Sequence, residues 1–181
     1  MKDYMDRRLD RWARAVCIHV CALALVVGGP SVTRGQSAPK PSSSAQAVSA
    51  KTAAQERFQE AQRLAGQGAL DNALQAVHQG LKIDPRSTEG WNLLGIIYDQ
   101  QRDYPQSLAA FNHALAINPR STETHNNLGI SYYTQKKLDL AAAEFQHTLK
   151  LNPHDRTANY NMGMVELAQG KAKEAINYLR R

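Results

Sequence analysis

From residue 54 onward the hydrophobic and small residues recur with the period of an amphipathic helix. Trp91, Leu94, Gly95 and Tyr98 stand at i, i+3, i+4 and i+7, which places them on one helix face. Ser107, Phe111, Ala114 and Leu115 follow at i, i+4, i+7 and i+8 and predict a second helix. Between them lies "QRDYP" at 101–105, a polar stretch that interrupts both patterns. The two faces predict a helical hairpin, and the same pattern returns along the chain.

The return has a fixed period. Pro85, Pro119 and Pro153 are spaced by 34 residues, and self-similarity at such a period decides the architecture before local detail does. Four units follow: 54–87, 88–121, 122–155 and an incomplete 156–181. Position 8 of the unit is small (Ala61, Gly95, Gly129, Gly163), as is position 20 (Ala73, Ser107, Ala141, Ala175). Position 24 is large and apolar (Val77, Phe111, Phe145, Leu179), and so is position 28 (Leu81, Leu115, Leu149). Small residues let the two helices of a hairpin approach, while large ones fill the space between hairpins.

Boundary chemistry agrees with this division. Ser87, Ser121 and Asp155 are good N-caps for the helix that follows each. Glu89 and Glu123 sit in first turns, where the helix dipole favours anions. Each periodic proline ends the preceding helix, and Pro105 falls in a first turn, where its missing N–H is harmless.

The pattern resembles the tetratricopeptide repeat. Trp91, Leu94, Gly95, Tyr98, Ser107, Phe111, Ala114 and Pro119 stand at that family's signature columns. The third unit matches at Leu128, Gly129, Tyr132, Ala141, Phe145 and Pro153, with His125 at the Trp column. The fourth has Asn159 there, then Met162, Gly163 and Glu166. The first unit has Arg57 and Glu60 at the aromatic and leucine columns, and Phe58 is the substitute for them. The resemblance implies an all-α, right-handed superhelical solenoid over 54–181, with the first helix of each hairpin on the concave side. It also implies that this groove receives an extended peptide or a partner's helix.

Groove-facing columns then select the binding candidates. They are Asn92, Ile96, Asn126, Asn127, Ile130, Tyr133, Tyr160 and Asn161, with Phe58, Glu89, Leu93, Asp99, Glu123, Met164 and Leu167 on the same face. An asparagine at position 6, such as Asn127 or Asn161, offers a peptide backbone both a donor and an acceptor. Tyr133, Tyr160 and Ile130 are candidate apolar anchors. No Lys or Arg stands at positions 2, 5 or 6 of any unit, which argues against the paired-carboxylate clamp of some family members.

The beginning of the chain reads differently. Lys2, Arg7, Arg8, Arg11 and Arg14 precede the apolar run Ala15–Gly29, and small residues follow Pro30. This is the layout of an export signal, here expected over 1–35 with cleavage after Gly35; an uncleaved membrane anchor is the alternative. Residues 36–53 are Ser-, Ala- and Pro-rich without apolar period, and are expected to be a flexible linker. The chain is therefore expected to be exported, periplasmic or secreted, or held at the membrane by its N-terminal segment.

Charge and chemistry narrow the remaining classes. The net charge of +6 divides into +3 over residues 1–35 and +3 over the remaining 146 residues, with basic residues scattered singly. No basic stripe of the kind that binds nucleic acid is present. Cys17 and Cys21 are the only cysteines, so 54–181 holds neither a disulfide nor a Cys-based metal site. His113 and His147 share position 26, but equivalent residues of neighbouring repeats lie on the order of 10 Å apart, too far for shared ligation. Neither a nucleophile motif nor a phosphate loop nor a paired-carboxylate signature is found. The sequence thus reads as a non-enzymatic interaction scaffold without metal or cofactor. Two alternatives stand beside it. One is self-association into a homo-oligomer through the apolar face of the last hairpin, where Ile176 and Leu179 lie. The other is the recruiting N-terminal part of a longer enzyme.

Overall fold

The computed structural model describes residues 43–181. The expected export signal or anchor at 1–35, and the expected linker as far as residue 42, lie outside the described residues. Eight helices follow in order: α1 Ser43–Gly66, α2 Leu70–Ile83, α3 Thr88–Gln100, α4 Tyr104–Ile117, α5 Thr122–Thr134, α6 Leu138–Leu151, α7 Arg156–Ala168 and α8 Ala172–Leu179. No strand occurs among the described residues. No described helix is long and apolar enough to cross a membrane.

One expectation is corrected at the start. Residues 43–53, read as part of a flexible linker, continue α1 toward its N-terminus by three turns. Residues 46–52 are exposed on every side, so packing is not the cause. The reason is local: beyond Pro41 the segment has no proline or glycine and is rich in alanine, the best helix former. Extending a helix already nucleated by Ala54, Phe58 and Ala61 costs far less than starting one.

Within each hairpin the turn is the same. Gly68, Arg102, Lys136 and Gly170 all occupy position 15, and all have positive φ, between 60° and 79°. The N–H of the next residue returns to a carbonyl five residues back: Ala69 to Leu64, Asp103 to Tyr98, Lys137 to Tyr132, Lys171 to Glu166. This is the left-handed C-terminal cap that closes a helix, and glycine adopts it without steric cost. Arg102 and Lys136 adopt it with a Cβ.

The joint between hairpins is equally regular. Ser87, Ser121 and Asp155 accept from the N–H three residues on, at 3.1, 3.3 and 2.8 Å. Asp84, Asn118 and Asn152 each hold the N–H two residues on, completing the turn around the proline. At the Trp column, Trp91 Nε1 donates to the carbonyl of Pro85 at 2.9 Å, and Asn159 Nδ2 to that of Pro153 at 3.0 Å. His125 Nε2 lies 3.0 Å from the carbonyl of Pro119, so it carries the proton and donates as well. The column selects an N–H at that height, which is why three chemically different residues fill it. Trp91 also stacks on His113, and His125 on His147, with ring centroids 4.1 and 5.0 Å apart.

The core is built from small–large pairs. A Cβ on Gly95 would lie 2.6 Å from the Phe111 ring, and one on Gly129 would lie 2.6 Å from that of Phe145. At Gly163 the obstacle is Leu179, at 2.7 Å. In the first hairpin the pair is Ala61 and Val77, a larger residue facing a smaller one. Phe58 is 1% exposed and lies over Gly80 and Gly90, where the later repeats carry side chains. It is the buried aromatic anchor of its hairpin and so does not face the groove. Burying Phe58, Phe111 and Phe145 contributes on the order of 2–3 kcal/mol each.

Neighbouring helices pack in chain order. In addition α1 meets α3, α3 meets α5 and α5 meets α7, whereas the second helices α2, α4, α6 and α8 do not approach one another. A stack whose first helices touch and whose second helices diverge must curve, with the first helices inside. The described chain is an all-α solenoid.

Candidate functional site

The inner face is formed by α1, α3, α5 and α7, and a ladder of side chains ties these helices together. Gln55 donates to Glu89 at 2.9 Å, and Asn92 donates to Glu123 at 2.9 Å. Asn127 donates to Asn92 Oδ1 at 3.1 Å, and Ser131 donates to Asp99 at 2.8 Å. Each rung joins successive repeats, at positions no more than three apart in the unit.

The ladder is incomplete between α5 and α7. By repeat symmetry, Asn126 and Asn161 stand where Asn92 and Asn127 make their rung. There the buried Oδ1 of Asn126 and Nδ2 of Asn161 have no hydrogen-bond partner. The fourth repeat also has Thr157 where the preceding ones have Glu89 and Glu123. Buried amide atoms without partners cost about 1–3 kcal/mol each.

Two pockets of about 280 Å³ open on this face, one repeat apart. The first is lined by Ile96, Asp99, Gln100, Tyr104, Phe111, Asn127, Ile130 and Thr134. The second is lined by Ile130, Tyr133, Phe145, Tyr160, Asn161 and Met164. They are equivalent: position 9 of consecutive repeats forms opposite walls, position 24 the floor, and position 6 the amide beside it. Ile130 belongs to both.

The eight candidate residues divide clearly. Ile96, Asn127, Ile130, Tyr133, Tyr160 and Asn161 line one or both pockets. Ile130 is 41% and Tyr160 57% exposed, so both side chains are accessible from the groove. Asn92 and Asn126 do not line a pocket; they are 3% and 8% exposed. Asn92 is held between Glu123 and Asn127 as part of the scaffold, and Leu93 is buried in the core. Position 5 is buried in the first three repeats, at Phe58, Asn92 and Asn126, and exposed in the fourth, at Tyr160. Asp99, expected on the same face, lines the first pocket together with Gln100 and Thr134, which are not among the candidates. The sequence signal for them was available: positions 12 and 13 face the same way as position 9.

The face is acidic. Glu89, Asp99 and Glu123 carry its charge, and no ion pair among the described residues involves any of them. Burial pushes the Asp99 carboxyl above the ordinary aspartate range, partly opposed by the Ser107 and Ser131 hydroxyls. The described ion pairs lie elsewhere, such as Arg63 with Glu60 at 2.7 Å. No group of three His, Cys, Asp or Glu residues among the described residues is arranged to hold a metal ion.

Comparison with known proteins places this architecture. Family models described as tetratricopeptide repeat match residues 88–121 and 126–181. No curated protein sequence matches the chain significantly. Among solved structures it is similar to one from a functional characterisation of Pseudomonas aeruginosa PilF. Identity there is 23% and the TM-score 0.67, over 72% of this chain and 60% of that one. It is similar to the first TPR of Spaghetti (RPAP3) bound to the HSP90 peptide SRMEEVD, with 19% identity and a TM-score of 0.60, over 66% and 95%. It is also similar to MamA, with 18% identity and a TM-score of 0.62, over 75% and 80%. The chain thus spans about 60% of the PilF structure. At these identities the likeness shows a shared fold. Together, the matched repeats and the shared fold identify 88–181 as a tetratricopeptide-repeat domain.

Proposed function

We propose that this chain is a non-enzymatic scaffold that binds an extended segment of a partner protein along the inner face of α3, α5 and α7. The observation that carries the reading is the pair of equivalent pockets sharing Ile130, flanked by amides of which one, Asn161, has a buried donor without a partner. Pockets repeated at the spacing of the repeat suit a ligand that is itself periodic, as an extended peptide is. Side chains enter the pockets, and a backbone group meets Asn161 at the edge of the second. Export or membrane attachment through residues 1–35 is part of the same proposal, supported by their basic and apolar layout. N-terminal sequencing of the fractionated protein tests it, and an intact Met1 in the cytoplasmic fraction refutes it.

The groove is tested by selecting random peptides displayed on phage against the full chain, then comparing the selected peptides on the parent and on Ile130→Glu. A charge at the shared wall should abolish binding in both pockets while leaving helicity by circular dichroism intact. Peptides that bind Ile130→Glu as well as the parent would place the binding surface elsewhere.

A further inference from the structure

We infer that the groove selects a peptide carrying a cationic side chain and an apolar one three residues apart, the cation entering the pocket at Asp99 and the apolar group the pocket at Tyr160. This rests on the groove reading above and names the chemistry of its ligand.

The two pockets are alike in volume and in their position 9 walls, but differ at position 12. The first has Asp99 and the second Tyr133. Asp99 is half-buried, and its Oδ1 is held by Ser131, whose hydroxyl also receives Gln135 Nε2 at 3.2 Å. The carboxylate is therefore fixed in place before a ligand arrives. An ionised carboxylate that is partly buried without a cation is unfavourable, and a bound Lys or Arg would relieve that cost. The burial that raises its proton affinity points the same way, since the Ser107 and Ser131 hydroxyls offset it only in part.

Charge complementarity extends beyond one residue. Glu89 and Glu123 stand on the same face, and the inner positions of α3, α5 and α7 carry no Lys or Arg at all. This is an acidic groove in a chain whose net charge is +6. The second pocket instead offers Ile130, Tyr133, Phe145, Tyr160 and Met164, with no charged group. Neighbouring helices pack about 10 Å apart, and an extended strand advances about 3.3 Å per residue, so consecutive pockets match ligand positions three apart.

The test uses fluorescein-labelled peptides of the form Ala-X-Ala-Ala-Z-Ala and their reversals, with X as Lys, Gln or Glu and Z as Leu, Tyr or Ser. Binding to the full chain is read by fluorescence anisotropy. The Lys peptides should bind about tenfold tighter than the Gln peptides, and Glu should be weaker again. Asp99→Asn should remove the preference for Lys over Gln while keeping that for Leu over Ser. Changing X in the peptide reads the same contact without altering the protein. If X has no effect while Z matters and Ile130→Glu abolishes binding, the groove reading stands and the charge selection is wrong. If no peptide's binding responds to Ile130→Glu, or none binds, the groove reading fails and the inference with it.

Discussion

The small–large pairing inside each hairpin can be tested as a size rule by rebuilding the first hairpin's pair in the third. In Gly129→Ala the new Cβ would lie 2.6 Å from one carbon of the Phe145 ring and 2.9 Å from two others. Ordinary carbon contacts are 3.5–4.0 Å, so the ring must retreat by about 1 Å. Phe145 is 1% exposed, and its ring can retreat only toward the pocket that it floors. Overpacking of this kind costs about 1–3 kcal/mol, offset by about 1 kcal/mol because alanine favours the helix over glycine. The net loss should be about 1 kcal/mol. Phe145→Val alone leaves a cavity and should cost about 2–3 kcal/mol. The double variant reproduces the Ala61–Val77 pair: the methyl enters space the ring has left, and the clash disappears. Urea unfolding followed by circular dichroism should show the double variant losing about 1.5–2 kcal/mol less than the sum of the single losses. Additivity within about 0.5 kcal/mol would refute the claim that these two columns set each other's size.

The other predictions concern the turns, the joints and the groove acid. Gly68→Ala and Gly170→Ala meet no atom within 4 Å, so their loss, about 1 kcal/mol each in urea unfolding, reports backbone strain alone. Lys136→Gly relieves that strain against a smaller entropic cost and should gain about 0.5 kcal/mol; a loss would contradict the reading of position 15. His125→Leu should cost about 1 kcal/mol more than His125→Asn, because Asn159 shows that an asparagine can hold the proline carbonyl. Equal losses would show that the N–H is not what the column requires. Asp99 binds its proton more tightly in the folded than in the unfolded chain. It therefore favours folding below the ordinary aspartate range, and that contribution is lost as pH rises through its raised value. Denaturant midpoints across pH should show Asp99→Asn gaining on the parent from acid to neutral, and a pH-independent difference would contradict the assignment.

Much of this architecture was legible because a repeat states each rule several times. The 34-residue proline spacing, the caps at Ser87, Ser121 and Asp155, and the Gly95–Phe111 type of packing are local consequences of residue size and backbone chemistry. Two kinds of feature were less legible. Residues 43–53 looked like a linker by composition, yet helix extension needs only propensity and an adjacent nucleus, not an apolar face. At the groove, column position told which side a residue faces but not how deep it sits. Asn92 and Asn127 are adjacent columns in neighbouring repeats and bond each other, so one becomes scaffold. Asn126 and Asn161 occupy the same columns one repeat on and are left without partners. That difference depends on how two helices seat against each other, which no single segment encodes. Asp99 gains its significance only from Ser131, 32 residues away.

The latch from the Trp column to the proline carbonyl spans only six residues, at Trp91, His125 and Asn159 alike. Closing so short a loop costs little entropy, so each joint can acquire its angle early, before distant parts of the chain meet. The longest-range hydrogen bond among the described residues, Asn127 to Asn92, reaches across only 35. A chain whose contacts are this local belongs to the fast-folding class, on microsecond to millisecond timescales. Folding can begin at any joint and spread to its neighbours. A chain emerging N-terminus first can therefore order itself hairpin by hairpin, each finished unit serving as the template on which the next one closes.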